Sequence, residues 1–85
     1  MYQITFKDSA NKELQKIDKL TIAKIVIPIN ALSKSPRPIG VKKLKGLSED
    51  LFRIRVGNYR IVYSINDIIK IVNIRRIGHR KDIYR

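Results

Sequence analysis

The sequence has no cysteine and no tryptophan, one histidine, and only seven acidic residues. Without thiols there is no disulfide framework and no thiolate zinc site, and a single imidazole cannot build a histidine site alone. A secreted domain this small ordinarily needs disulfide staples, so a reducing cytoplasm is the expected compartment. No run approaches the ~20 apolar residues needed to span a bilayer, so no membrane partner is expected. Met1-Tyr2-Gln3-Ile4-Thr5 lacks the basic region and apolar run of a signal peptide. The acids form no carboxylate cluster for magnesium and no Glu–His pair for acid–base cleavage of RNA. The four glycines form no phosphate-cradling loop of the P-loop kind. Neither a metal nor a cofactor is therefore expected. Any catalysis must rest on positioning and on neutralising charge as it develops.

What is present is positive charge. Nineteen Lys and Arg residues give the chain a net charge of +12. Such a field repels a second copy and attracts polyanions, either nucleic acid or an acidic protein. The 85 residues, 44% of them hydrophobic, suffice for one domain (1–85) around a single modest core. Basic residues are sorted by type along the chain. Residues 1–34 hold six Lys and no Arg, whereas residues 51–85 hold seven Arg and two Lys. Lysine is an adequate solubilising charge. Arginine presents a planar fork that can grip a phosphate through two bonds and stack on a base. Its segregation points to a site in the C-terminal half.

Periodicity supplies the frame. Tyr2, Ile4 and Phe6 alternate with polar residues, which predicts an amphipathic first strand. Asp8 or Ser9 can cap the segment that follows, and Ala10, Leu14 and Ile17 predict a helix over 9–18. Ile22, Ile25, Val26, Ile29 and Leu32 predict a second helix, with a kink or break near Lys24–Pro28. Ser35-Pro36-Arg37-Pro38-Ile39-Gly40 stops it, and residues 41–50 read as a basic loop. Period two then returns in Leu51–Val56 and Tyr59–Ile65, joined by Gly57-Asn58, which suits a type II′ hairpin turn. Asn66-Asp67 marks the next turn, Ile68–Ile77 the last strand, and Gly78 its end. The resulting order is β-α-α-β-β-β, an α+β domain with two helices on one face of a small antiparallel sheet.

A two-residue turn fixes a register in which Val56 faces Tyr59, Arg55 faces Arg60, Ile54 faces Ile61 and Arg53 faces Val62. Phe52, Ile54, Val56, Tyr59, Ile61 and Tyr63 then share the helix-packed face, and Arg53, Arg55 and Arg60 share the other. Like charges placed directly opposite destabilise a sheet unless an anion completes them, which favours a phosphate-binding face. The competing reading is a solvated face whose guanidinium stems cover apolar surface. Beyond it lie Arg75, Arg76, His79, Arg80, Lys81, Tyr84 and Arg85. Arg75 and Arg76, being adjacent, cannot both point to one face, and one is expected to be a solvated edge charge. His79 reads first as an exposed or packing side chain and second as a catalytic base. Tyr84 reads as a tail anchor or as a ring that stacks on an unpaired base.

Several short motifs in sequence resemble the RelE family of toxins from bacterial and archaeal toxin–antitoxin pairs, within the RelE/ParE superfamily. They are Ser35-Pro36-Arg37, Lys42-Lys43-Leu44-Lys45-Gly46, Phe52-Arg53-Ile54-Arg55, Tyr59-Arg60-Ile61-Val62-Tyr63 and Ile77-Gly78-His79-Arg80-Lys81-Asp82-Ile83-Tyr84-Arg85. Each is weak alone; their order and spacing are specific. The resemblance implies a ribosome-dependent, metal-independent endoribonuclease. It would cut mRNA in the decoding site by attack of a ribose 2′-OH on the adjacent phosphorus. Carried over, Arg60 and Arg80 stabilise the scissile phosphate and Tyr84 orients the nucleotide. Arg53, Arg55, His79, Lys81 and Arg85 bind substrate, and Lys42, Lys43 and Lys45 lie near ribosomal RNA. Arg53 and Arg55 stand where members of the family often carry lysine, and guanidinium holds its proton too tightly for general-acid duty, which leaves them electrostatic roles. The implied partners are an acidic RelB-like antitoxin, the ribosome and mRNA. Two other readings compete: a ParE-like inhibitor of DNA gyrase on the same fold, and a plain basic RNA-binding module.

Overall fold

Asp18 sets the start of the longer helix. In a computed structural model, which describes residues 1–45 and 49–82, its carboxylate accepts hydrogen bonds from the Thr21 N–H at 3.1 Å and the Thr21 hydroxyl at 2.7 Å. This cap satisfies a donor that the first helical turn cannot. Helix α2 therefore begins at Lys19, three residues before its first apolar stripe residue, and runs to Ala31. It passes through Pro28 without the break that proline suggests. The carbonyl that loses its partner is that of Lys24, on an exposed position where water can replace the missing donor, while Ile25, Ile29 and Leu32 anchor the opposite side in the core. Helix α1 is shorter than its periodicity predicts, Asp8–Gln15. Its N-cap is Lys7, with no side-chain cap, and Asp8 lies in the first turn, where a carboxylate complements the helix dipole.

Five strands form one sheet in the order β1-β5-β4-β3-β2. They are β1 (Gln3–Phe6), β2 (Lys42–Leu44), β3 (Leu51–Val56), β4 (Tyr59–Asn66) and β5 (Ile71–His79). β1 runs parallel to β5, and the remaining pairs are antiparallel. The two helices and the mostly antiparallel sheet agree with the architecture read from the sequence. The basic loop contains a strand that periodicity did not reveal. β2 is three residues long and lysine-rich, as a protected edge strand tends to be, so it carries no hydrophobic alternation.

The β3–β4 register is the one that a two-residue turn demands, with Val56 opposite Tyr59 and Arg55 opposite Arg60. Gly57 carries the positive φ, +59°, at the turn position where a type II′ hairpin needs it. The β4–β5 connection is longer than expected. The Asn66 side chain accepts from the N–H groups of Ile68 and Ile69, at 3.0 and 3.1 Å, and Lys70 takes a φ of 58°. Ile68 and Ile69 thus belong to the turn and are exposed, and β5 starts only at Ile71. At its other end β5 continues through Gly78, which pairs with Arg60, to His79.

The core lies between the helices and one sheet face. Ile25, Ile29 and Leu32 pack with Phe52, Ile54, Ile61, Tyr63, Ile74 and Ile77. Tyr63 is the bulkiest fully buried residue; its hydroxyl donates to the Pro36 carbonyl at 2.8 Å, and burial pushes its pKa up to about 12. That bond fastens the proline loop to the sheet. On the same loop the Arg37 guanidinium stands 5.3 Å from the Phe52 ring centre and grips Asp67 with both terminal nitrogens, at 2.9 and 3.3 Å. Tyr2 donates to the same carboxylate. Asp67 thus joins the N-terminus, the proline loop and the β4–β5 turn.

The Arg37 and Tyr2 hydrogen bonds hold the Asp67 carboxyl down at about 2, against 3.8 for the free group. A depressed folded-state pKa contributes stability above the unfolded value, lost as pH falls through the folded value. Thermal melts from pH 7 to pH 2 are therefore expected to separate wild type from Asp67→Asn at neutral pH and to converge between about pH 4 and pH 2. A constant offset across that window would disprove the linkage.

Candidate nucleic-acid interface

The face of the sheet turned away from the helices is built by cross-strand register. One row reads Arg55, Arg60, Gly78 across β3, β4 and β5; the next reads Lys42, Arg53, Val62, Arg76 across β2 to β5. Val62 is only 5% exposed although no helix covers it, and Arg53 is 8% exposed. This part of the outer face is therefore covered, and Arg53 does not stand open to solvent. Arg60 lies half-buried and its Nη1 donates to the Tyr59 carbonyl at 3.2 Å. Arg55, opposite it, is exposed. Gly78 is the third member of that row, so β5 itself contributes no side chain opposite Arg60.

Arg80 follows directly. Its N–H donates to the Asn58 carbonyl at 2.8 Å, which ties the end of β5 to the Gly57-Asn58 turn. One end of the sheet therefore collects Arg55, Arg60 and Arg80 around the hairpin tip. Lys42 extends the row from the edge strand, Lys45 is exposed beyond it, and Lys43 forms an ion pair with Asp50 at 3.2 Å. Lys81 is exposed in the turn after β5. Tyr84 and Arg85 lie outside the described residues.

His79 is not on this face. It pairs with Tyr59 on the helix side, meets that ring edge-on at 5.8 Å, and accepts at Nδ1 from the Lys81 N–H at 3.2 Å. An accepting Nδ1 puts the proton of the neutral ring on Nε2. The histidine borders a cleft of about 270 Å³ between α1 and the end of β5, lined also by Glu13, Lys16, Arg76 and Asp82.

Arg75 and Arg76 do not follow the simple alternation that their adjacency suggests, and neither is a bare solvated charge. The reason is a bulge in β5: Val62 pairs with Arg76 and Tyr63 with Ile74, so Arg75 is the extra residue of the ladder. Arg75 donates to Asn73 at 2.7 Å and holds the Glu49 carboxylate with both terminal nitrogens. Arg76 bonds Glu13 on α1, at 3.4 Å from Nε and 3.3 Å from Nη2. Sequence reasoning passed over both glutamates, because nothing in a local pattern joins residues so distant along the chain. Their effect is to distinguish the arginines: the β5 pair is held by carboxylates, whereas Arg55 and Arg80 are exposed at the hairpin end.

The family model described as the ParE toxin of type II toxin–antitoxin systems, parDE, matches residues 4–84. Among curated proteins, toxin RelG of Mycobacterium tuberculosis is 35% identical over 99% of this chain and 97% of its own length. Toxin RelE of the same organism is 32% identical over 99% of this chain and 87% of its own length. Among solved structures, the archaeal RelE–RelB complex from Pyrococcus horikoshii superposes with a TM-score of 0.82 at 29% identity, covering 95% of this chain and 97% of that one. The RelBE2 toxin–antitoxin complex of M. tuberculosis gives 0.81 at 31% identity, with 93% and 98% covered.

The division of the arginines can be measured without assuming any chemistry. On single-stranded RNA the log affinity falls with log salt by about 0.7 per phosphate neutralised. Arg55→Ala is expected to flatten that slope by about one such unit. Arg75→Ala, which removes an arginine already held by Glu49, is expected to leave it nearly unchanged. Fluorescence anisotropy across a salt series reads both, and equal losses would contradict the division.

Proposed function

The chain belongs to the RelE family of toxins from type II toxin–antitoxin systems, and from that membership we propose that it is a ribosome-dependent endoribonuclease that cuts mRNA in the decoding site. It is a toxin of a toxin–antitoxin pair; the cleavage chemistry is the reading offered here. The observation that carries it is the gathering of Arg55, Arg60 and Arg80 at the hairpin end of the sheet.

The reaction this favours is internal transesterification. The 2′-oxygen forms a bond to the adjacent phosphorus, the bond from phosphorus to the 5′-oxygen breaks, and the products are a cyclic phosphate and a free 5′-OH. The 2′-OH loses its proton and the leaving oxygen gains one. Negative charge on the phosphoryl oxygens peaks between those events, where fixed guanidinium groups stabilise it most. Arg60 and Arg80 take that role, and Tyr84 stacks on or orients the nucleotide. Arg55, Lys81 and Arg85 bind substrate, while Arg53, largely buried, adds charge, and neither Arg53 nor Arg55 gives up a proton; His79, which faces the helix side with Tyr59, leaves the binding set. Lys42, Lys43 and Lys45 approach ribosomal RNA. The ribosome supplies the shape of the message.

An acidic RelB-like antitoxin is the proposed second partner, supported by the net charge of +12 and by relatives solved as RelE–RelB complexes. Such a partner folds as it wraps the basic surface and blocks the arginine face. The ParE name of the matching family model favours one competing reading, a gyrase inhibitor.

Cleavage of a stalled ribosome–message complex by purified variants tests the assignment. Arg60→Ala and Arg80→Ala are each expected to cut ~10²–10³ more slowly in single turnover, the usual loss for one transition-state donor. Tyr84→Ala is expected to be slower as well, since base stacking is worth ~1–3 kcal/mol. Lys12→Ala on α1 is expected to cut normally, and all four proteins to melt near the wild-type temperature. Wild-type rates from both arginine variants would remove the catalytic assignment. An intact message together with inhibited supercoiling would establish the gyrase reading in its place.

A further inference from the structure

Strand β5 has a partner along only part of its outer edge. β1 pairs with it from Gln3↔Ile71 to Phe6↔Ile74, and the Lys7 N–H closes that ladder on the Ile74 carbonyl at 2.9 Å. The chain then turns into α1, and among the described residues no strand lies beside the edge of β5 past Ile74. Backbone groups of an antiparallel strand alternate between its two neighbours. Gly78 and Arg80 face β4 and its turn, as the Arg60↔Gly78 pair and the Arg80–Asn58 bond record. Ile77 therefore turns its N–H to the open edge.

Glu13 meets that group. Its Oε1 accepts from the Ile77 N–H at 3.0 Å, and its Oε2 accepts from Arg76. Helix α1 holds the carboxylate there, because Ala10 is fully buried and Leu14 packs on the core, as does Ile17 just past the helix end. The location matters because of the bulge just before it. An extra residue loosens register locally, and a one-residue slip of the strand end would exchange Gly78 for His79 beside Arg60 and turn Arg80 to the other face.

We propose that Glu13 is a positioning residue whose carboxylate stands in for the missing strand at Ile77 and so holds the Gly78–Arg80 end of β5 against the hairpin tip. The catalytic consequence rests on the nuclease reading above; the structural role does not.

Two readouts on the full chain separate them. In Glu13→Ala the Ile77 and Arg80 amides are expected to exchange with deuterium at least about tenfold faster, the worth of one charge-assisted hydrogen bond, while the Ile61 amide is unchanged. The saturating single-turnover rate on stalled ribosomes is expected to fall by a similar factor, with the half-saturating toxin concentration unaltered. Glu13→Gln keeps an acceptor for Ile77 and is expected to recover most of both. Arg76→Ala removes the neighbouring ion pair and is expected to leave Ile77 protected. Unchanged exchange in Glu13→Ala overturns the proposal, as does Glu13→Gln behaving like Glu13→Ala, or Arg76→Ala reproducing the loss. If the wild type does not cut, the nuclease reading fails while amide exchange still decides the role of Glu13.

Discussion

The two-residue turn at Gly57-Asn58 governs the organisation of the C-terminal half. Once Gly57 adopts its positive φ, Val56 must pair with Tyr59, and every later residue of β3 and β4 is assigned to a face. A register shifted by one would put Ile54 and Ile61 in solvent and drive Arg53 and Arg60 into the core. The hydrophobic pattern and the turn therefore specify the same alignment, and that agreement makes the arginine face a structural necessity of the sequence. The same turn also provides the Asn58 carbonyl that captures Arg80.

Electrostatics then differentiates residues that composition treats alike. With nineteen basic and seven acidic side chains, each carboxylate decides where positive charge is not available. Asp67 takes Arg37, Glu49 takes Arg75, Glu13 takes Arg76 and Asp50 takes Lys43. All four pairs are substantially exposed, so their value for stability is modest, but each removes a cation from the field that a polyanion meets. The hairpin end gathers guanidinium groups from three segments, with Arg55 and Arg80 exposed.

Much of this was legible in the chain. Alternation over residues 51–65 and the Gly-Asn turn gave the hairpin, the faces and the opposition of Arg55 to Arg60. The arginine bias of residues 51–85 marked the half that carries the site. What local pattern could not supply falls into two kinds. Some elements have no periodic signature: β2 is a lysine-rich edge of three residues, and the turn at Asn66 captures Ile68 and Ile69 through a side chain, although their apolar character reads as strand. The course of α2 through Pro28 depends on packing by Ile25, Ile29 and Leu32, which outweighs one lost backbone bond.

The other kind is long-range. His79 and Arg80 are neighbours in sequence, yet β4–β5 pairing sends one to Tyr59 on the helix side and the other to Asn58 at the turn. Arg75 and Arg76 look like two more cations for the site until Glu49 and Glu13 are brought beside them from 26 and 63 residues away. The sequence by itself determined which residues share a face, because side-chain direction follows from a two-residue period and one turn. Tertiary structure alone decided which of those charges are offered to a ligand, because neutralisation depends on distance in space, and no local period encodes that.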